Sequence, residues 1–200
     1  SYWQRSGIGL KKYVNPQDWR TAKNADDYGH IVQKWEPAIR YADILLMYAE
    51  CLNELTSAYS IPSWDGSSTY NVSRDLNEMK RGIRPVRCRA GVPDFTTDVY
   101  ADQSLMRKKI KRERMIEFIA EGKRYYDLRR WMDAPVEESI PVYGCNVYMP
   151  ESQRDEFQRV VPVYSLPTVF NVKMYFWPIS TEELKRNRNL VQNPGWKYYD

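Results

Sequence analysis

The sequence predicts a mainly α-helical fold that passes into an irregular C-terminal region with short strands, and three observations predict it. Residues 37–55 carry apolar side chains at helical spacing, and residues 104–132 repeat the pattern over a longer stretch. From residue 135 to residue 179, Val, Tyr and Pro alternate instead, which suits extended segments and turns. The chain has 200 residues, 42% hydrophobic and 28% charged, enough to bury a sizeable core without membrane-like or disordered composition. One region spanning 1–200 is expected: an irregular lead-in over 1–36, a helical scaffold over 37–134 and a loop-rich, short-strand segment over 135–200.

In the lead-in, Gly7, Gly9, Pro16 and Gly29 break any sustained period. The first helix is carried by Ala38, Tyr41, Ala42, Leu45, Leu46, Ala49 and Leu52, with Pro37 in the tolerated first turn. Residues 56–72 are rich in Ser, Thr, Gly and Pro and read as a long excursion. A second helix starts near Ser73 and presents Leu76, Met79 and Ile83 on one face until Pro85 kinks or ends it, with Gly91 and Pro93 as the stop. A third runs from about residue 104 through Ile110 and Phe118 to Gly122, where it bends or gives way to another helix carrying Tyr125, Leu128 and Trp131 toward a core. Pro135 ends it. Ser180 and Glu183 have capping-box spacing for a last short helix, and Asn193, Pro194 and Gly195 force a turn. Residues 37–55, 73–90 and 104–132 should pack as antiparallel pairs.

Thirty Lys and Arg against 26 Asp and Glu leave a net charge of +4, short of the one-sided basicity of a nucleic-acid binder. Three cysteines, without a CxxC pair, argue against a disulfide framework or a structural zinc site. Cys51, beside Leu52, reads as a buried small hydrophobe, and Cys88 reads as structural. With His30 as the sole histidine, and with no GxSxG, P-loop or GxGxxG, nucleophilic catalysis and phosphate binding have no support. The longest apolar run, Ile44 to Ala49, is far too short to span a bilayer, and the opening SYWQRSGIGLKKYV lacks an apolar signal core.

Two clusters could carry chemistry. Glu113, Glu117 and Glu121 lie at four-residue intervals on one helix stripe. They could serve as acid, base or metal ligands, but a di-iron bundle needs Glu-x-x-His, and this stretch has no His. The alternative is pairing with Arg40, Arg84, Arg87 or Arg89 across helices. No catalytic residue, metal or cofactor is therefore assigned. The second cluster is aromatic: Trp3, Tyr59, Trp64 and Tyr70, with Asp65 and Asn71 as hydrogen-bond partners. It either stacks on sugar faces or pins the excursion to the helices.

Four blocks in order, RYADILLMYAECLNEL (40–55), IRPVRCRAGVP (83–93), IKRERMIEFIAEGKRYYDLRRW (110–131) and WPIS…NLVQNPGW (177–196), resemble the C-terminal half of the SusD/RagB family. The opening GLKKYVN (9–15) is similar to the segment that leads into it. Departures are Pro85, within what is usually an uninterrupted helix end, and Lys123 and Tyr126 at variable positions. The resemblance implies tetratricopeptide-like helical pairs and a non-catalytic, surface-exposed outer-membrane lipoprotein of Bacteroidetes-type bacteria. Such a protein binds a glycan or other nutrient and delivers it to a TonB-dependent, SusC-like transporter. A competing expectation is an interaction module that docks on the transporter without touching ligand. The resemblance marks Arg40, Tyr41, Glu50, Arg89, Gly91, Glu113, Glu117, Glu121, Gly122, Arg124, Asp127, Leu128, Arg130 and Trp131 as scaffold. Ligand contacts in the family come from variable loops, so none is transferred, and Trp3, Tyr59, Trp64, Asp65, Tyr70 and Asn71 rest on the pocket argument alone.

Family members are much longer and carry a lipidated N-terminal cysteine, so membrane attachment is expected only through an anchor outside this chain. Stacked helical pairs need about three or more repeats for stability, against the roughly two read here. Ile39, Ile44, Met47 and Tyr48 should therefore leave an apolar patch on the first helix, covered by the N-terminal half of the same precursor.

Overall fold

The computed structural model describes residues 6–7, 9–15, 32–163 and 169–197, so the readings of Trp3, His30 and most of the lead-in lie outside the described residues. The chain forms two compact units, Glu36–Tyr126 and the combination of Ser1–Trp35 with Asp127–Asp200.

The first unit contains α1 (Tyr41–Glu54), the strands β1 (Tyr59–Pro62) and β2 (Thr69–Val72), α2 (Leu76–Arg89), α3 (Thr97–Ala101), α4 (Gln103–Glu117) and the start of α5 (Lys123–Arg130). Helix α1 begins four residues after Pro37. Arg40 has an extended backbone, φ −115° and ψ 149°, and sends its guanidinium to Glu117 and Glu121 instead of joining the first turn. Helix α2 begins where the Asp75 carboxylate accepts from the Asn77 and Glu78 amides, two residues beyond the predicted Ser73. It then runs through Pro85 to Arg89. Pro85 faces solvent, where water can satisfy the carbonyl it leaves unpaired, while Ile83 and Val86 on either side are buried and hold the helix. Gly91, at φ +73°, closes it: the Gly91 amide donates to Cys88 O and the Val92 amide to Arg87 O, a Schellman ending.

Ion pairs fix the helix directions. The end of α1 meets the start of α2, where Arg74 donates to the Asn53 side chain at 2.9 Å, and the start of α4, where Arg107 pairs with Glu54. The opposite end of α1 meets the end of α4 through Arg40 and through Asp43, which pairs with Arg114 at 2.9 Å. Helix α1 thus runs antiparallel to both α2 and α4, as the periodicity predicted for stacked pairs. At its crossing with α2, a Cβ on Gly82 would lie 2.5 Å from Leu45 O and 2.9 Å from the Ala49 Cβ. Leu46, Met79, Ile83, Tyr100, Met106 and Ile110 fill the core around that contact.

Of the two alternatives for the third stretch, a bend or a second helix at Gly122, the structure has the second helix. Ala120 at φ +62° and Gly122 at φ +72° turn the backbone left-handed between α4 and α5. Cys51 is exposed, a correction to its reading as buried: it lies on the outer face of α1 with Tyr41, Ile44, Met47 and Tyr48, all of them exposed. The excursion over 56–72 is also more ordered than predicted. β1 and β2 form an antiparallel hairpin, pairing Tyr59 with Val72 and Ile61 with Tyr70.

In the second unit, Leu128 and Ala134 pack with Phe170, whose ring stands edge-on to Tyr175 at 4.9 Å. Met132, at φ +60°, stops α5, and α6 (Ala134–Glu137) follows, so Pro135 sits in a helical first turn. The short strands β3 (Tyr143–Cys145) and β4 (Val160–Pro162) pair antiparallel. Between them lie a 3₁₀ turn and the short helix α7 (Arg154–Gln158). Within the stretch read as extended up to residue 179, Val172–Tyr175 instead form a 3₁₀ turn. Helix α8 (Thr181–Arg186) has half of the predicted capping box: Ser180 accepts from the Glu183 amide, while the Glu183 carboxylate turns to Arg186. The WPIS…NLVQNPGW block closes on itself. The Gln192 amide group pairs with both backbone groups of Ile179, Asn193 donates to Trp177 O at 2.6 Å, and the Trp196 indole donates to Lys173 O and Phe176 O.

Gly82→Ala should cost about 1–3 kcal/mol, because backbone and Ala49 must both move. Urea unfolding at unchanged slope checks this, and an unchanged midpoint would contradict the tight crossing.

Candidate functional site

The Glu stripe resolves into ion pairs. Glu117 takes Arg40 at 2.7 Å and Arg89 at 2.6 Å, Glu121 takes Arg40 at 2.7 Å, and Glu113 takes Arg87. Arg84 points to solvent. Asp43 is buried between Arg114 and Lys123, its second oxygen 3.0 Å from the Lys123 ammonium. Burial alone would raise the Asp43 carboxyl pKa, but the hydrogen bonds and charges of Lys123 and Arg114 outweigh it and leave the group below its usual range. Arg40 is treated similarly: burial works against its charge, and the bonds to Glu121 and Glu117 keep it firmly protonated. Asp127 is buried and accepts from Arg130, which also lies over the Trp131 ring. Among the described residues, no group of three or more His, Cys, Asp and Glu side chains is arranged to hold a metal ion.

The hairpin has a different texture. Its strands end at a turn in which Gly66 donates to Ser63 O, the Ser63 and Ser68 backbones pair, and Gly66 sits at φ +70°. One carboxylate oxygen organises this tip. Asp65 Oδ1 accepts from Ser63 Oγ at 2.6 Å, the Ser67 amide at 3.1 Å and Ser67 Oγ at 2.8 Å. Those bonds hold the Asp65 carboxyl down at about 2. The neighbouring Trp64 side chain is 98% exposed on this fixed turn.

Cross-strand partners share a face of a sheet, so Tyr59, Ile61, Tyr70 and Val72 lie on one side of the ribbon and Ser60, Pro62, Thr69 and Asn71 on the other. Tyr59 and Tyr70 are diagonal neighbours, 48% and 60% exposed, with Ile61 between them also about half exposed. On the second face Ser60 Oγ donates to Asn71 Oδ1 at 2.6 Å, which leaves the Asn71 amide hydrogens outward. Bonds from Ser57 and Thr56 stabilise the Tyr59 phenolate and lower its pKa.

The structure therefore brings Tyr59 and Tyr70 together, sets Trp64 at the tip, and places Asn71 on the face opposite the tyrosines. Asp65 shapes the turn. Trp3 lies outside the described residues. Ile61 and Ser60 belong to the same ribbon and were missed. The signal for them was present in YSIP and TYNV, two four-residue segments of alternating bulky and polar character flanking SWDGSS.

With the geometry in place, relatives can be compared. A sequence model of the SusD family matches residues 2–196. The SusD-like protein P2 of Formosa agariphila is 29% identical over 160 residues, covering 79% of this chain and 25% of that protein. A solved structure described as selenomethionine BT4246 superposes with a TM-score of 0.65 at 25% identity, covering 84% of this chain and 26% of that one. The crystal structure of a SusD-like protein (BF3747) from Bacteroides fragilis NCTC 9343 gives a TM-score of 0.57 at 27% identity, covering 79% and 25%. The chain thus spans about a quarter of the length of these relatives.

Removing the Asp43 carboxylate, as in Asp43→Asn, should destabilise the protein by about 3–5 kcal/mol, because Arg114 stays buried without its partner. The gap between native and variant should be full above about pH 4, the ordinary Asp value, and narrow as pH falls through the lowered native value. Urea melts across that range test both the size and the sign, and a gap that widened toward acid would contradict the pairing. For Asp65, an NMR titration should find the carboxyl ionised until about pH 2, whereas titration at about 4, the ordinary value, would contradict the organised tip. The ordered sequence blocks, the antiparallel helices and the match over nearly the whole chain agree: the chain belongs to the SusD family.

Proposed function

We propose that the protein is a non-catalytic binding protein of the outer-membrane surface that captures a glycan or other nutrient for a TonB-dependent transporter, with the 59–72 hairpin supplying ligand contacts in this chain. Membership of the SusD family supports the role in nutrient uptake. The observation that carries the site is the hairpin itself: three large aromatic side chains stand exposed on a ribbon whose turn is held rigid by a single carboxylate. A turn fixed before binding loses little backbone freedom when a sugar stacks on the rings it carries, and ring faces suit the C–H surfaces of a pyranose. The tyrosine hydroxyls, and on the opposite face the Asn71 amide, can meet sugar hydroxyls.

Calorimetry of the protein against neutral and acidic oligosaccharides tests this reading. Trp64→Ala and Tyr70→Ala should each weaken binding about tenfold, the equivalent of about 1.4 kcal/mol for a lost stacking ring. Unchanged affinity in both variants would reject the hairpin as the site.

A second element of the proposal concerns α1. Tyr41 is 75% exposed and Ile44 47% exposed, and with Met47, Tyr48 and Cys51 they give a continuous outer face without a charged side chain. A helix apolar on both sides is one that is covered on both sides. The relatives are about four times longer, and the reading is that the N-terminal part of the same precursor lies on this face. No helix among the described residues is long and apolar enough to cross a membrane, and attachment through a lipid anchor belongs to the same proposal. Ile44→Lys should reduce dye binding and self-association of the 200-residue chain at unchanged helix content. Unchanged dye binding would show that the face is already covered.

A further inference from the structure

The hairpin differs from the rest of the molecule in charge as well as in exposure. Residues 56–72, TSAYSIPSWDGSSTYNV, contain no Lys, Arg or His, in a chain that carries 30 Lys and Arg. Asp65 is the only ionisable acid in that stretch, and its Oδ1 is already taken by Ser63 and Ser67. The charged groups that flank the hairpin are committed elsewhere. Arg74 donates to the Asn53 side chain and to Tyr100 O, at 2.9 and 2.7 Å, and Glu54 is held by Arg107.

A carboxylate or sulfate is recognised by cations in fixed geometry, most often arginine forks. The hairpin offers such a group no partner. One face presents the tyrosine rings and the other hydroxyls and one amide, while the anionic Asp65 at the tip opposes any acidic substituent brought near it. Given the reading of this ribbon as the ligand site, we infer that it selects uncharged saccharide segments and discriminates against uronate- or sulfate-bearing ones. Recognition rests on stacking and neutral hydrogen bonds, so it should vary little with ionic strength.

The experiment is calorimetry of the native protein and four variants against neutral gluco-, xylo- and galacto-oligosaccharides and against oligogalacturonates and sulfated galactans of matched length. The expected result is binding of at least one neutral series, weakened about tenfold in Trp64→Ala, and affinity for the acidic series lower by about tenfold or more. The neutral affinity should change by less than about twofold between roughly 0.02 and 0.5 M salt. Ala58→Lys, at an exposed position just ahead of β1, should raise affinity for the acidic series and leave the neutral one nearly unchanged, while Ala58→Gln should do neither. Tight binding of an acidic saccharide that is lost in Trp64→Ala and weakened by salt would overturn the selectivity and leave the hairpin as the site. Saccharide binding indifferent to Trp64→Ala and Tyr70→Ala, or no saccharide binding at all, would overturn the site and the selectivity with it.

Discussion

The first unit depends on how two residues at the start of α1 grip the end of α4. Asp43 and Arg114 are both buried, and a buried charge is tolerated only when its partner is held in place. Arg40 adds a fork to Glu117 and Glu121, and Arg89 closes on Glu117 from the end of α2. These pairs add fixed charge contacts at the ends of three helices that the tight crossing already holds in register. Arg40, with an extended backbone just ahead of α1, reaches both glutamates. At the middle of the crossing, Gly82 and Ala49 let the backbones approach closely enough for Leu46, Met79 and Ile83 to interlock.

The loop-rich second unit uses backbone satisfaction where the first uses charge. Pro178 can donate no hydrogen bond; Gln192 pairs with both backbone groups of the next residue, Ile179, while Asn193 takes the Trp177 carbonyl and Trp196 those of Lys173 and Phe176. Side chains thus stand in for a strand partner, which lets a stretch rich in Pro and Asn keep its polar groups bonded without a regular ladder. The four sequence blocks that resemble the SusD/RagB family map onto these two devices, the helix register and the C-terminal clasp.

The helices were legible because each buries one face, so periodicity reports directly on packing: Leu46, Ala49, Met79, Ile83 and Ile110 were all predicted in helices and all lie in the core. The breaks were less legible. A proline is read as a stop, yet Pro85 lies on the solvent side of a helix held by its buried neighbours, and the chain between α4 and α5 turns at Ala120 as well as at Gly122. Cys51 was misread for the same reason that α1 is unusual: its outer face is as apolar as its inner one, so sequence alone does not say which side is buried. The hairpin escaped notice because it packs neither face. Its alternation runs for only four residues in each strand, within a stretch rich in Ser, Thr, Gly and Pro, so Ser60, Ile61 and Thr69 resemble loop residues until the register is seen.

Two kinds of surface follow from one sequence, a charge-locked helical layer and an aromatic ribbon whose one charged residue is Asp65 at its tip. On the proposed function, the first positions and the second binds. The most direct measurement is a two-dimensional amide NMR titration of the protein with a saccharide that it binds. The account predicts shifts concentrated in residues 59–72, including the Trp64 indole N–H, with the Arg40, Asp43 and Arg114 signals unmoved. Shifts centred on the ion-paired helix ends, with the hairpin signals unchanged, would contradict it.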